Sequence, residues 1–357
     1  MMQNSQIPKI LRASHMDQQG AAALIIVLML PVFLGFAALA VDIGYMMAVK
    51  AQLNNAAEAG ALSGARALVP YTGTPPQPNW GNGTLQARRA VAGNFADKQP
   101  LTVSEASPGA AVPSLSETPP RSQATPCYWR LSDNTTHPTS ITPQTADVPA
   151  MQVTVAKTAG HNGGPLSMMF ANILGFKSVN LGGQAVAMVS FPKGMPVGSV
   201  FPLAAAQTYV NQYLPRDPPV SFKIGSGSGS YGQWNSFKVN NKSASYVDGL
   251  ISGGNPTSLN LSDNIYIQPG VKASNYGNAA SRVGQTIVIA LVNPTDINAE
   301  GPTPVLGFVA FKIEAVSQSG KYIQGHYDKD FNITNAAGIG APTPGTLSTP
   351  DPPCLVN

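Results

Sequence analysis

The chain is 357 residues long with a formal net charge of +4, and only 11% of its residues are charged, against roughly 25% in an average soluble domain. That length holds one large domain or two small ones. With no Lys/Arg run, no basic stripe with interleaved aromatics and no zinc-finger spacing, the composition speaks against a nucleic-acid partner.

The first element is apolar. Gly20–Val41 carries no charged side chain, and as a helix it rises about 33 Å, enough for a hydrocarbon core of about 30 Å. Pro31 falls inside it, which membrane helices tolerate. Asp42 then stands at the headgroup level, where a carboxylate costs far less than at mid-bilayer, and Tyr45 beside it suits the interfacial belt. A second reading stays open. Lys9 and Arg12 fit the basic start of a secretory signal, and Ala38-Leu39-Ala40 fits a cleavage site. The apolar run is longer than such signals carry, which favours a retained anchor, and both readings export the C-terminal part of the chain. The charge asymmetry leans towards a cytoplasmic N-terminus.

Beyond Asp42, the stretch to Leu68 contains no proline and is rich in helix formers. Leu53, Ala57, Ala61, Gly64 and Leu68 share one stripe, and Gly60 with Gly64 makes a G-x-x-x-G. A stripe of small residues admits the close approach of another helix, either a partner's or one from the same chain. Val69-Pro70 ends the helix.

The features Leu30-Pro31, Gly35, Leu39–Gly44 ("LAVDIG", with Asp42 and Gly44) and Gln52–Arg66 ("QLNNAAEAGALSGAR") occur in order along this segment. Strung together, they resemble the N-terminal segment of the TadG-like proteins of bacterial tight-adherence (Flp) pilus systems. The resemblance implies a single inner-membrane span with the rest of the chain in the periplasm. It also implies a place among other pilus-assembly or pilin proteins.

From Pro70 to residue 147 the chain is dense in Pro, Ser, Thr and Gly, and reads as a linker interrupted by one helix over 84–98, whose Arg88, Arg89, Asp97 and Lys98 form a solvated face. From Val148 the pattern turns strand-like. Residues 151–157 alternate as a half-buried strand, 166–176 read as a short amphipathic helix with Met168, Met169, Phe170 and Leu174 in the core, and 179–190 as a strand. Further strands are expected at 220–224, 235–239, 264–268, 285–292, 305–316 and 321–327. "MMFANILGFKSVNLGGQAVAMV", "GNPTSLNLSDNIYIQPG" and the run from Arg282 to Val316 also resemble the C-terminal region of TadG-like proteins. The D-x-S-x-S metal site of a von Willebrand factor A insert, which some of that family carry, is missing.

Little chemistry is nominated. Gly227–Gly232 fits G-x-G-x-x-G, but the sequence after it reads as a strand where a dinucleotide site needs a helix, so a hairpin loop is expected. His15, His137, His161 and His326 are scattered, and Asp248, Asp263 and Asp296 lie in turns. Cys127 and Cys354 could form one disulfide in an oxidising compartment.

The expected architecture is α+β: a cytoplasmic segment over 1–19, a transmembrane helix with its extension over 20–69, the linker over 70–147, a β-rich domain over 148–335 and a Pro-rich tail over 336–357. The expected function is a non-enzymatic, membrane-anchored component of pilus assembly, in contact with the lipid bilayer and other pilus proteins, with no cofactor, metal or small-molecule substrate. Two alternatives remain: a minor pilin-like subunit cut at Gly20 and built into the filament, or an adhesin or enzyme released after Ala40. The glutamate that pilins usually carry five residues after the cut is here Ile25.

Overall fold

The computed structural model describes residues 10–69, 77–113, 120–144, 146–189, 191–214, 216, 218–225, 231–269, 273–298, 300–331, 333, 339–340 and 353–356, with 10–21 and 339–340 described by their backbone alone. The expected cut at Gly20 therefore falls where only backbone is described, and most of the Pro-rich tail lies outside the described residues.

Helix α1 runs unbroken over Ile10–Arg66 and takes Pro31 within it. Its two halves differ in what surrounds them. From Leu24 to Val41 the large apolar side chains stand uncovered, Phe33 and Phe36 each being 67% exposed. From Val49 the stripe Val49, Leu53, Ala56, Ala57, Ala61, Ala65 and Leu68 is sealed from solvent. The last turn closes on Ala67 and Leu68 N–H groups that donate to Gly64 and Ala65 carbonyls.

Helix α2 (Trp80–Ala92) returns along α1, capped by the Asn79 side chain, which accepts the Asn82 N–H at 3.2 Å. Gly60, Gly64 and Gly83 let the two backbones close. A Cβ on Gly64 would lie 2.9 Å from the Ala87 Cβ and 2.7 Å from the Met151 side chain. The small stripe is thus filled from within the chain. The expected helix over 84–98 ends at Ala92, because Ala96 and Gln99 pair across a two-residue turn in which Asp97 and Lys98 both take positive φ.

The helix pair lies on a six-stranded sheet. Its strands are β1 (Ser104–Glu105), β2 (Gln123–Arg130), β3 (Thr135–Pro138), β4 (Asp147–Lys157), β5 (Leu181–Met188) and the C-terminal segment Cys354–Val356. The order runs from that segment through β5, β4 and β2, with β1 and β3 sharing the far edge of β2. All pairs are antiparallel except β1 with β2.

Two expectations fail here. The segment read as linker supplies β2, a sheet interior strand, and its packed helix α2. The stretch 151–157, read as half-buried, belongs to β4, whose eleven residues are all buried. Gln152 satisfies its amide there on the Pro113 carbonyl.

A second six-stranded sheet holds β6 (Leu203–Ala206), β7 (Phe222–Gly225), β8 (Gly232–Trp234), β9 (Thr286–Val292), β10 (Gly307–Ser317) and β11 (Tyr322–Tyr327), in the order β7-β11-β10-β9-β6-β8. Alternation divides its faces. Ile287, Ile289 and Leu291 enter one cluster with Phe222, Phe311 and Tyr327, while Val288, Ala290 and Val292 enter another with Phe237, Phe308 and Ile333. The sheet curls until its edges approach, Gly232 lying against Ile224. β7 and β8 do not pair with each other, so they are not the two arms of the expected hairpin; the loop over 226–230 lies outside the described residues.

The expected strand at 235–239 is instead a turn. Phe237 holds a φ of 52°, and the Asn235 side chain accepts its N–H at 3.0 Å. Helices α3 (Gln207–Tyr213), α4 (Ala244–Gly253) and α5 (Ala273–Ala279) also belong to this half, as does the antiparallel pair Asn264–Ile267 with Gly301–Pro304, at the place of the strand expected over 264–268. The apolar cluster under α1 and α2 runs on to Phe191, so the expected start of one β-rich domain at Val148 cuts through that core.

Candidate functional site

The point at which α1 changes from an uncovered rod to a packed helix is the most constructed part of the molecule. Asp42 is only 1% exposed, although its neighbours Val41 and Ile43 face outwards. Its carboxylate accepts three backbone N–H groups: Met169 on one oxygen at 3.0 Å, Phe170 and Ala171 on the other at 2.9 and 2.6 Å. Those amides open a single 3₁₀ turn, Ala171–Leu174. They are the unpaired donors of a helix start, and a carboxylate 127 residues earlier satisfies them.

The turn sits at the tip of a hairpin. Leu166 and Ser167 pair with Val179 and Ser178, Met168 N–H donates to the Lys177 carbonyl at 3.0 Å, and Gly175, with φ of 91°, turns the chain back. The expectation of a core-filling amphipathic helix over 166–176 fails. Only Leu166 and Ala171 are buried, and Ile173, Leu174 and Phe176 are 83%, 73% and 70% exposed. Among the described residues nothing covers this apolar tip, which Asp42 holds from one side.

One turn further along α1, a second clasp forms. The Tyr45 hydroxyl donates to Asp97, and the Asp97 N–H donates to the Gln52 side chain at 3.0 Å. Asp97 also meets the ammonium of Lys157 at 3.1 Å, and that ammonium, 2% exposed, donates to the Asn162 carbonyl at 3.1 Å. Burial works against the Asp97 charge, but the tyrosine hydroxyl and the lysine hold its carboxyl below the usual range. Asp97 is thus not the solvated helix charge that the sequence suggests. Above it, β5 crosses α1 closely at Gly183, where a Cβ would lie 2.6 Å from backbone atoms of both Leu53 and Asn54.

The sequence-derived residues therefore divide. Asp42 is engaged. Gly35 and Gly44 have nothing within 4 Å of an added Cβ, and Pro31 sits in the uncovered half of the helix. Leu53, Ala57, Gly60 and Gly64 are buried inside the chain's own core. No disulfide joins the two cysteines. Cys127 on β2 and Cys354 on the edge segment are separated by β4 and β5. Three strand spacings come to about 14 Å, beyond the reach of a disulfide, and burial pushes the Cys127 thiol up to about 12.

Asp97, Lys157, Gly183 and the 169–171 amides were not legible as a site. The available signals were an acid ending an apolar run and an apolar excess in "MMFANILGF".

Among the described residues no group of three or more His, Cys, Asp or Glu side chains gathers to hold a metal ion. Ser221, Glu314 and His326 do meet. However, the serine hydroxyl and His326 Nδ1 both approach the same Glu314 oxygen, at 2.9 and 2.7 Å, and not each other. That is not the hydroxyl–imidazole–carboxylate order that activates a nucleophile.

Comparison with known families gives two matches. Residues 20–67 match a family described as Flp pilus-assembly TadE/G-like, and residues 46–187 match one described as Tad-like Flp pilus-assembly. The first ends with α1, and the second covers the α1 extension, α2 and the sheet through β5. No curated protein and no solved structure matches the chain.

Proposed function

From the premise that this chain is a TadG-like protein of the Flp pilus-assembly system, we propose that it works as a single-pass inner-membrane anchor carrying a rigidly mounted periplasmic body. One observation carries this reading. The helix that is long and apolar enough to cross a membrane is also the helix whose later turns form the first core. No joint separates the two halves, and two polar clasps lock the body to the helix just before its buried stripe begins at Val49. Such a mount transmits position. A protein built this way holds pilus components at a fixed height and angle over the membrane, and needs no catalytic group to do so.

The test is made in the native host. Removing the protein should abolish surface Flp pili, and the full chain should restore them, with the second sheet digested by protease in spheroplasts but not in intact cells. Normal piliation without the protein overturns the role, and protease resistance in spheroplasts overturns the orientation. The intact mass of the native protein separates the processing alternatives. Cleavage at Gly20 would favour entry into the filament, and cleavage after Ala40 would free the body while leaving Asp42 in its clasp.

A further inference from the structure

The hairpin tip over 168–176 is an apolar surface that the anchoring role does not use. Met169, Ile173, Leu174 and Phe176 project together and uncovered, with Phe170 partly exposed beside them. A small soluble body does not spend five large apolar side chains on one nine-residue tip without a partner for them. We propose that this tip is a second, interfacial membrane attachment, seated in the headgroup–acyl boundary of the same leaflet in which the apolar half of α1 ends.

Three observations favour lipid as the occupant. The tip is tied to Asp42, the first buried side chain along α1 among the described residues, where the uncovered stretch of the helix gives way to its packed part. Ile173 and Leu174 follow Ala171 within one 3₁₀ turn, a rise of about 4–6 Å, so their side chains lie at the level where the span meets water. The tip's composition also fits. From Leu166 to Gly182 there is no acid, and the one charge, Lys177, is exposed at the tip's base, where a lysine stem lies along the apolar layer with its ammonium in water. The buried Asp42 carboxylate is held by three amide hydrogen bonds and is turned away from the surface. Segments of this kind sink about 5–10 Å into the boundary. The span and the tip together give two points of attachment, which stop the body from tilting about a single helix.

This inference rests on α1 being the span, so the test reads both. An NBD fluorophore is attached to a cysteine introduced at Leu28 or at Ile173 of the full chain carrying Cys354→Ser, with Cys127 buried and unlabelled. The proteins are reconstituted into phosphatidylethanolamine/phosphatidylglycerol vesicles containing lipid nitroxides placed near the headgroup or deep in the chain. The expected result is that Leu28 is quenched by the deep nitroxide, and Ile173 shifts to the blue and is quenched by the shallow one. Quenching at Leu28 with water-like emission at Ile173 overturns the tip proposal and leaves the span standing. A blue-shifted Ile173 that neither nitroxide quenches also overturns it, in favour of a protein cover. Water-like emission at both positions removes the span and the tip with it. As a second variant, Ile173→Ser with Leu174→Ser and Phe176→Ser touches only exposed side chains. With the label at Asn172, it should lose the shallow quenching while the Leu28 signal is unchanged.

Discussion

At the scale of single residues, Asp42 shows how much of a site can be read from position alone. An acid at the end of a long apolar run marks where a membrane stops, and that reading needs only local sequence. Its second role depends on amides 127 residues away, which no periodicity links to it. Hydrogen bonds to a charged acceptor are stronger than those between neutral groups. Replacing Asp42 with Ala strands three donors at once, although water reaches the tip and recovers part of the loss. Hydrogen exchange at the Phe170 and Ala171 amides should then run roughly 30-fold faster, through local opening of the tip. Strands β4 and β5 should be unaffected, and equal protection in the variant would show that the clasp holds nothing.

Asp147 gives a pH dependence at the same scale. Burial works against its charge, but the Arg130 guanidinium at 2.7 and 3.0 Å and the Gln144 N–H at 2.8 Å hold its carboxyl below the usual range. A depressed carboxyl stabilises the fold above its unfolded pKa, about 3.9, and that stabilisation is lost as pH falls through the lower folded value. The thermal midpoint should therefore fall on acidification below about pH 4. Asp147→Asn should cost about 1.5–3 kcal/mol at neutral pH and flatten that acid limb, and an unchanged limb would show that Asp147 does not carry it.

At the scale of elements, the long strands of the second sheet were legible as β-branched and aromatic runs between turn residues, whereas the short β6 and β8 were not. The stretches at 285–292, 305–316 and 321–327 became β9, β10 and β11 almost residue for residue. β2 was hidden by its proline, and the start of β4 by another. Pro126 sits where the far edge of β2 changes partner from β1, paired at 123–124, to β3, paired at 127–130, so no ladder bond is asked of its missing N–H there. Pro149 lies just before the stretch of β4 that pairs with β5, which begins at Ala150. Each proline therefore falls in a gap in the ladder, and gaps are properties of the assembled sheet.

Close packing at the glycines sets a rank order for substitution. At Gly183 an added Cβ meets backbone of α1, which cannot yield, so Gly183→Ala should cost the upper part of the range of about 1–3 kcal/mol for overpacking. Gly64→Ala meets the Met151 Cγ, the Ala87 Cβ and the Gly83 carbonyl at 2.7, 2.9 and 3.0 Å, none of them the free end of a flexible side chain, but gains about 1 kcal/mol of helix propensity, so it should cost less than Gly183→Ala. Gly60→Ala, opposed most closely by the Val91 side chain at 2.7 Å, should come nearest to neutral. Chemical denaturation of the purified protein in detergent would measure the series, and the reverse order would show that α1 and β5 are not pressed together.

At the scale of the whole molecule, the apolar helix and the first core are one object, although the sequence presents them as separate segments. The apolar run and the small-residue stripe have different compositions, and a membrane span is commonly a handle whose removal leaves a domain intact. Here the place of the cut decides the outcome. A chain beginning at Asp42 loses only uncovered surface and keeps both clasps, so it should fold with a cooperative thermal transition. A chain beginning at residue 70 loses Val49, Leu53 and Leu68, each fully buried and each worth about 1.5–3 kcal/mol, together with the four buried alanines between them. That sum is comparable with the entire stability of a typical domain, about 5–15 kcal/mol, and it also strips one face of β4 and β5. The shorter chain should therefore lose the ordered amide signals of β2, β4 and β5. The second sheet draws its clusters from residues 195 to 333 and should keep its own. A residue-70 fragment with a fully folded first sheet would show that α1 is a handle after all, and the rigid mount on which the proposed function depends would have to be given up.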